Sequence, residues 1–289
     1  MEGPETAPER VVRCRGGHTA GPARLGMRRQ YAVSDVVEAV ERQGVLTVTL
    51  NSPQTRNALS VEMLSGLGRI LDEVRLSTTC RVLVLRHEGP VFSAGMDLKD
   101  KSGVVMEMLP PLLASFWTLP QPTIVCVEGA VRGGAVGIVA AADVVVATSA
   151  AHFAFPEVKL GVVPAIVSAP VLHRMPARTA SRYFLTGESF GAEVAREAGL
   201  VTEVVQPDGV AATVARFCGH LLQAAPTALA ATKGLVRGSR LPLTNDEVLR
   251  VLRTLLDVAR AASESEDGRE GRAAFLAKRK PAWSAEYRT

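Results

Sequence analysis

The chain has 289 residues, of which 47% are hydrophobic, 21% charged and 4% aromatic, and its formal net charge is +4. This length and apolar content suffice for one large domain with an ordinary core. The small net charge and the scarcity of aromatic side chains argue against nucleic-acid binding through a basic patch or base stacking. No apolar run is long enough to cross a bilayer without an interrupting glycine or charge, which argues against a membrane protein.

The N-terminal 30 residues differ in composition from the rest of the chain. Residues 1–30 are rich in Arg, Gly and Pro and show no hydrophobic period, so we predict a disordered extension. Its arginines would suit a mitochondrial transit peptide, although Glu2, Glu5 and Glu9 argue against one, and translation starting at Met27 is equally compatible. The four cysteines lie far apart without metal spacing. Reduced thiols, and a cytoplasmic location, are predicted, or the mitochondrial matrix if the extension is a transit peptide.

The first regular elements are a strand, a helix and a second strand. Val45–Leu50 alternates as a strand does and ends at an Asn-Ser-Pro turn. Ser60 can cap a helix whose apolar positions follow a helical period. These positions are Met63, Leu64, Leu67, Ile70, Leu71 and Val74. Residues 82–85 form a second apolar strand, so the two strands should be parallel and joined by a right-handed crossover.

A glycine pair stands at the centre of the chain. The apolar strand Thr123–Val127 leads through Gly129 to Gly133 and Gly134, and a small apolar helix is predicted over 135–142. A strand that leads through glycines into a helix points free backbone N–H groups at one place. Glu157 follows, and it is the only carboxylate between Asp143 and Glu188. Amide donors and one carboxylate suit chemistry on a carbonyl beside a movable proton.

The remainder of the chain is predicted to be mainly helical. Strands are expected at 144–147 and 200–205, and a helix after residues 91–98. Later helices are expected at 179–185, 192–198, 209–224, 226–236, 246–262 and 268–278. Strands that alternate with helices can bury both faces of a sheet, so the fold class is α/β with a helical C-terminal third.

Six short motifs, in this order and spacing, carry a family resemblance. They are 56–60 (RNALS), 92–98 (FSAGMDL), 129–134 (GAVRGG), 155–161 (FPEVKLG), 185–188 (LTGE) and 268–283. With these motifs the chain resembles the crotonase superfamily, the enoyl-CoA hydratase/isomerase family, over about residues 45–283. The resemblance implies a crotonase-like spiral of ββα units in two roughly perpendicular sheets over 31–225. It also implies that the helical region 226–289 assembles a homotrimer or a dimer of trimers.

The resemblance also implies a site for an acyl-CoA thioester. The enolate oxygen of the thioester would accept hydrogen bonds from the backbone N–H groups of Met96 and Gly134, and Glu157 would act as acid and base. Apolar neighbours such as Phe153 and Phe155 should raise the pKa of Glu157. Coenzyme A enters as part of the substrate, with no separate cofactor and no metal. The residues expected near it are Arg56, Ala58, Ala94, Asp97, Leu98, Phe275 and Lys278; Asp97 could instead cap a helix.

One departure from the family pattern leaves the reaction open. Family hydratases use two glutamates, and Gly137 occupies the position of the first. The likeness to enoyl-CoA hydratases still favours hydration of a 2-enoyl-CoA, whereas a single carboxylate is the pattern of Δ3,Δ2-enoyl-CoA isomerases. Glu107 or Glu188 could replace the missing acid. A non-catalytic acyl-CoA-binding protein and decarboxylation through the same enolate are further alternatives.

Overall fold

The computed structural model describes residues 29–31, 34–97, 99–100, 102–237 and 244–282. The strands within these residues are β1 (Arg29–Gln30), β2 (Val37–Arg42), β3 (Val45–Leu50), β4 (Val82–His87), β5 (Val91–Ser93), β6 (Thr123–Val127), β7 (Ala130–Arg132), β8 (Val144–Thr148), β9 (His152–Ala154), β10 (Ser189–Gly191) and β11 (Glu203–Val205). The helices are α1 (Val61–Arg75), α2 (Val104–Trp117), α3 (Gly134–Ala141), α4 (Ala165–Arg174), α5 (Ala177–Thr186), α6 (Ala192–Glu197), α7 (Val210–Gln223), α8 (Pro226–Val236), α9 (Asn245–Glu264) and α10 (Glu266–Leu276). None of these helices is long and apolar enough to span a membrane.

The strands form two sheets. The larger has the order β1-β2-β3-β4-β6-β8-β11. Strand β2 pairs antiparallel with both β1 and β3, and all pairs from β3 onward are parallel. The smaller has the order β10-β9-β7-β5 and is parallel except for the β10–β9 pair. The chain repeats a unit of two strands and a helix, with the first strand in the larger sheet and the second in the smaller one. These units are β4-β5-α2, β6-β7-α3 and β8-β9-α4. The predicted α/β spiral of ββα units is therefore confirmed.

The long predicted elements match the structure closely. Strands β3 and β6 and helix α8 have the predicted bounds, and the Ser60 hydroxyl accepts a hydrogen bond from the Met63 N–H as the cap of α1. The parallel pairing of β3 with β4 is confirmed. Strand β6 and helix α3 are buried at every residue, which explains why both read as uninterrupted apolar runs.

Several short elements were not predicted correctly. The resemblance implied a second sheet, but none of its strands was located in the sequence, and the strand predicted over 200–205 is confined to Glu203–Val205. The disordered extension was predicted to reach residue 30, but Arg29–Gln30 already pairs with Glu41 and Val40 of β2. The remainder of that predicted extension, residues 1–28, lies outside the described residues.

The C-terminal helices fold back onto the core of the same chain. Helix α9 packs against α2 and α4, while α10 packs against α9 and a 3-10 turn at Pro156–Leu160. The approach of α10 to this turn is backbone to backbone, since a Cβ atom on Gly271 would overlap the carbonyl oxygen of Leu160. The helical C-terminal region is thus confirmed, and its predicted role in trimer formation stays a prediction.

This close contact predicts the effect of adding one methyl group. Gly271→Ala should lower the free energy of unfolding by about 1–3 kcal/mol, because backbone must move to admit the methyl group. Gly219→Ala is the matched control: Gly219 lies inside α7, and a methyl group added there would have no atom within 4 Å. That control should gain about 0.5–1 kcal/mol from helix propensity. Urea unfolding measures the free energy of unfolding of both variants. Equal changes in this free energy would contradict the close packing of α10 on the turn.

Candidate active site

Glu157 lies in the 3-10 turn Pro156–Leu160, directly after β9 and Phe155. Phe155 is fully buried and its ring packs edge-on against Phe184 at 4.5 Å between centroids, which anchors the start of the turn. The Glu157 residue is only 8% exposed, and its Oε2 has no hydrogen-bond partner among the described residues. Burial raises the pKa of Glu157 to about 7, so the predicted direction is confirmed.

The glycine pair brings the start of α3 next to this carboxyl group. Gly133 adopts a φ of +51°, and a Cβ atom there would lie 3.2 Å from Glu157 Oε1. Any larger residue at this position would therefore be strained in backbone and crowded in side chain. Gly134 is the first residue of α3, so its N–H cannot be bonded within the helix. The carboxyl group and the helix N-terminus consequently share one small space.

Met96 approaches the same place from a different segment. Leu59 N–H donates to Gly95 O at 2.8 Å and Asp97 N–H donates to Leu59 O at 3.2 Å, which holds Met96 in an isolated bridge beside Leu59. The Met96 Cγ would lie 3.4 Å from a Cβ atom on Gly134. Within the part of the chain that the structure describes, the N–H groups of Met96 and Gly134 have no acceptor. Two free amide donors therefore stand near Glu157.

Glu157, Met96 and Gly134 line one cavity of about 30 Å³. Among the described residues, Glu157 is the only titratable one in its wall, and the other side chains are aliphatic or thioether. They belong to Met106, Leu109, Val162, Val163, Pro164, Ala165, Ile166, Val167 and Ala259. The cavity shares Met96, Met106 and Val162 with a cleft of about 340 Å³, whose wall includes Asp97, Glu107, Arg260 and Arg272. A mainly apolar cavity thus lies beside a polar cleft.

The position of the missing family glutamate is filled by packing. A Cβ atom on Gly137 would lie 2.9 Å from Val167 Cγ1 and 3.4 Å from Leu113 Cδ1. Neither candidate replacement acid lines the Glu157 cavity. Glu107 pairs with Arg260 at 2.8 Å in the cleft, and the exposed Glu188 pairs with Arg182 at 2.6 Å. Among the described residues, Glu157 has no second carboxylate beside it.

Three of the residues predicted near coenzyme A come together. Ala94 N–H donates to Arg56 O at 2.9 Å, and Ala58 follows in the same loop. The buried Asn57, which sequence reasoning did not select, fixes this loop. Its amide group donates to Glu88 O and Val91 O at 2.9 and 2.8 Å and accepts from Ser52 N–H at 2.7 Å. An asparagine beside a turn is the signal that could have found it, because Asn tolerates the left-handed φ of +50° observed here.

The other predicted contacts with coenzyme A are more scattered. Asp97 lines the cleft and accepts a hydrogen bond from the Lys99 N–H at 3.0 Å, while Leu98 lies outside the described residues. Asp97 does not cap α2, since Asp100 accepts from the Val105 N–H at 3.0 Å instead. Phe275 and Lys278, at the end of α10, are both exposed. No group of three or more His, Cys, Asp or Glu side chains with metal-binding geometry occurs within the described ranges.

Comparison with known proteins identifies the family. The family model described as enoyl-CoA hydratase/isomerase matches residues 40–286. The chain belongs to this family. Two relatives from Escherichia coli K12 are similar to it. One is named 1,2-epoxyphenylacetyl-CoA isomerase and is 32% identical over 87% of this chain and 98% of its own length. The other is named 2,3-dehydroadipyl-CoA hydratase and is 33% identical over 83% of this chain and 95% of its own length.

Solved structures confirm the crotonase fold. An enoyl-CoA hydratase from Mycobacterium avium is 33% identical, with a TM-score of 0.77 over 87% of this chain and all of that one. A methylmalonyl-CoA decarboxylase in complex with 2-nitronate-propionyl-CoA is 25% identical, with a TM-score of 0.73 over 88% of this chain and all of that one. Relatives with these names carry out different reactions, so the family alone leaves the reaction of this chain open.

The burial of Glu157 predicts a pH-dependent stability difference. The pKa of its carboxyl group is about 7 in the folded state and 4.5 when unperturbed, so the folded state binds the proton more tightly. The contribution of this carboxyl group to stability is therefore greatest below pH 4.5 and falls as the pH rises toward 7, by about 3 kcal/mol at most. Glu157→Gln removes this penalty, so its stability relative to the wild type should be greater at pH 8 than at pH 5.

Urea unfolding at the two pH values measures this difference. Glu188→Gln is the matched control, because the exposed carboxylate of Glu188 is paired with Arg182, which lowers its pKa. This control should show no gain in relative stability at pH 8. A Glu157→Gln variant whose relative stability does not change with pH would contradict a buried, protonatable carboxyl group at this position.

The packing at Gly137 predicts a coupled pair of substitutions. Gly137→Ala should lower the free energy of unfolding by about 1–3 kcal/mol, because the new methyl group meets Val167 in a full core. Val167→Ala opens the space that this methyl group needs, so the double variant should lose less stability than the sum of the single losses. Chemical unfolding of the three variants gives the coupling, and strict additivity would show that the two positions do not pack together.

Proposed function

We propose that this chain is an acyl-CoA isomerase that moves the double bond of a 3-enoyl-CoA to the 2-position, with Glu157 as its single acid and base. The observation that carries the proposal is the packing around Gly137, the position of the first glutamate in family hydratases. Val167 and Leu113 fill the space at Gly137, so the proton donor that a two-glutamate hydration needs is missing there. Isomerisation needs one group that removes and returns a proton, and it needs no water.

The reaction can be written with the described groups alone. The thioester oxygen accepts hydrogen bonds from the N–H groups of Met96 and Gly134, and the Glu157 carboxylate removes a proton from C2. The electron pair enters the conjugated enolate, and the protonated Glu157 returns the proton to C4, which leaves the double bond between C2 and C3. A pKa of about 7 lets one carboxyl group act in both steps near neutrality. Fixed amide donors stabilise the charge on the oxygen, and one such donor is typically worth about 100–1,000-fold in rate.

The cleft beside the cavity gives the substrate a place to extend. Its wall joins that of the Glu157 cavity at Met96, Met106 and Val162. The coenzyme A part of the substrate lies over the loop of Arg56, Ala58 and Ala94 and is the only cofactor-like group required. Phe275 and Lys278 reach the coenzyme A of a neighbouring copy in a homotrimer or dimer of trimers. Their exposure at the end of α10 supports this arrangement.

Hydration of a 2-enoyl-CoA is the second candidate function. The similarity to the relative named 2,3-dehydroadipyl-CoA hydratase supports it. Hydration would require Glu157 alone to activate the water and to manage the proton delivered to C2. It therefore predicts activity on conjugated substrates that the isomerase proposal does not.

Two substrates separate these candidates. With 3-hexenoyl-CoA, an isomerase raises the ultraviolet absorbance of the conjugated enoyl thioester; with crotonyl-CoA, a hydratase lowers it. We expect a rise with the first substrate and no fall with the second. Glu157→Gln should reduce kcat by about 100–10,000-fold, and it should keep the thermal stabilisation that acyl-CoA confers. Glu188→Gln serves as the control with wild-type turnover.

Three results would contradict the proposal. A fall in absorbance with crotonyl-CoA and no rise with 3-hexenoyl-CoA would identify a hydratase. Thermal stabilisation by both acyl-CoA thioesters without turnover would identify a non-catalytic binding protein. Full turnover by the Glu157→Gln variant would show that the Glu157 carboxyl group is not needed for the reaction.

A further inference from the structure

An ion pair separates two spaces near the Glu157 cavity. Glu107 of α2 pairs with Arg260 of α9 at 2.8 Å. Both residues line the cleft of about 340 Å³ that adjoins the cavity, and both also line a groove of about 400 Å³. The remaining wall of this groove comes from the same two helices, through Pro110, Pro111, Leu249, Arg253, Leu256 and Asp257. The ion pair is therefore a wall that the cleft and the groove share.

The apolar part of the cleft wall is small and reaches the ion pair at Met106. This methionine lines both the Glu157 cavity and the cleft, and it directly precedes Glu107 in α2. The other apolar side chains in the cleft wall are those of Met96, Val105, Leu160 and Val162. Apart from two glycines and the ion pair, the rest of the wall is polar and comes from Asp97, Asp100, Ser102, Ser263, Glu264 and Arg272. An alkyl chain that leaves the cavity can thus bury only its first methylene groups against apolar atoms.

An alkyl chain cannot pass this ion pair without a cost. The side chains of Glu107 and Arg260 are 59% and 42% exposed, so water solvates both ions. Methylene groups placed against them would displace this water and offer no hydrogen bond in return. Asp257, on the same helix as Arg260, adds a second carboxylate at 3.7 Å. Because the pair is solvated, it contributes little to folding, and its removal should leave the fold intact.

We propose that the Glu107–Arg260 pair limits the length of the acyl chain, so that the protein selects short-chain acyl-CoA thioesters. This inference deepens the proposed function and rests on the acyl-CoA site proposed there. The acyl chain extends from the cavity past Met106 and ends at the pair. Without the pair, the cleft and the groove form one continuous space, in which a longer chain lies between α2 and α9 against Leu249 and Leu256. Both charged residues thus determine specificity and take no part in the proton transfer.

Saturated acyl-CoA thioesters of increasing length test this limit without requiring turnover. Titration calorimetry of the full-length protein with the butanoyl, hexanoyl, octanoyl, decanoyl and dodecanoyl esters gives the affinity gained per methylene group. Each buried methylene group is worth up to about fourfold in affinity. For the wild type, we expect the affinity to rise over the first members of the series and then to level off. For Arg260→Ala, it should continue to rise, so that this variant binds dodecanoyl-CoA at least tenfold more tightly than the wild type does.

Two further variants complete the test. Glu107→Ala removes the same wall from the opposite helix and should extend the rise in affinity in the same way, which keeps the test valid if Arg260→Ala does not fold. Arg250→Ala is the matched control, because Arg250 is an exposed arginine of α9 that lines neither the cleft nor the groove. This control loses the same charge and should keep the dependence on chain length that the wild type shows.

Three results would overturn the proposal. The first is a wild-type affinity that rises through dodecanoyl-CoA, and the second is a plateau that neither Arg260→Ala nor Glu107→Ala changes. The third is an equal change in Arg250→Ala, which would show an effect of net charge alone. The failure of isomerisation is detected separately, by the absorbance with 3-hexenoyl-CoA, because the saturated esters report only binding. Absence of binding by every ester would contradict the acyl-CoA site itself.

Discussion

The burial of the Glu157 carboxyl group against the backbone of Gly133 is the interaction on which the candidate site depends. A carboxyl group that loses water without gaining a cation is held closer to its neutral form, and this makes it both a proton acceptor and a proton donor near pH 7. The contact is possible because Gly133 has no side chain and a positive φ. The same glycine pair leaves the Gly134 N–H free, so the proposed proton carrier and the proposed oxyanion donor lie side by side because of one local geometry.

The C-terminal helices matter to this geometry although they contribute few polar groups. Helix α10 contacts the turn of Glu157 through the backbones of Gly271 and Leu160, and Gly161 at the end of that turn makes an equally close approach to Asp267. Ala259 of α9 also closes the wall of the cavity. Removal of water from Glu157 therefore depends on segments more than 100 residues apart in the chain, and loosening of the C-terminal region would rehydrate the carboxyl group.

Helix α3 connects the Glu157 cavity at its N-terminus with the ion pairs that Asp143 makes with Lys233 and Arg237 beyond its C-terminus. It is buried at every residue, so neither end can be solvated by bulk water and each must be satisfied by the protein or by a ligand. At its N-terminus the Gly134 N–H is free and Gly134 lines the Glu157 cavity, so in the proposed reaction the thioester oxygen would accept from this N–H. At its C-terminus Arg174 and Arg237 satisfy the last carbonyl groups.

The order of polar and apolar residues by itself determined the long elements, because a repeat of 2 or 3.6 residues decides which face is buried. It also indicated Glu157, since a lone carboxylate after a glycine pair stands out in an apolar stretch. Only the tertiary structure decided the smaller sheet, whose three-residue strands are too short to show a period. The packing around Gly137 was likewise decided only by the tertiary structure, because Val167 approaches Gly137 from a helix thirty residues later in the chain. Such contacts depend on how elements pack against each other, and local sequence does not encode that packing.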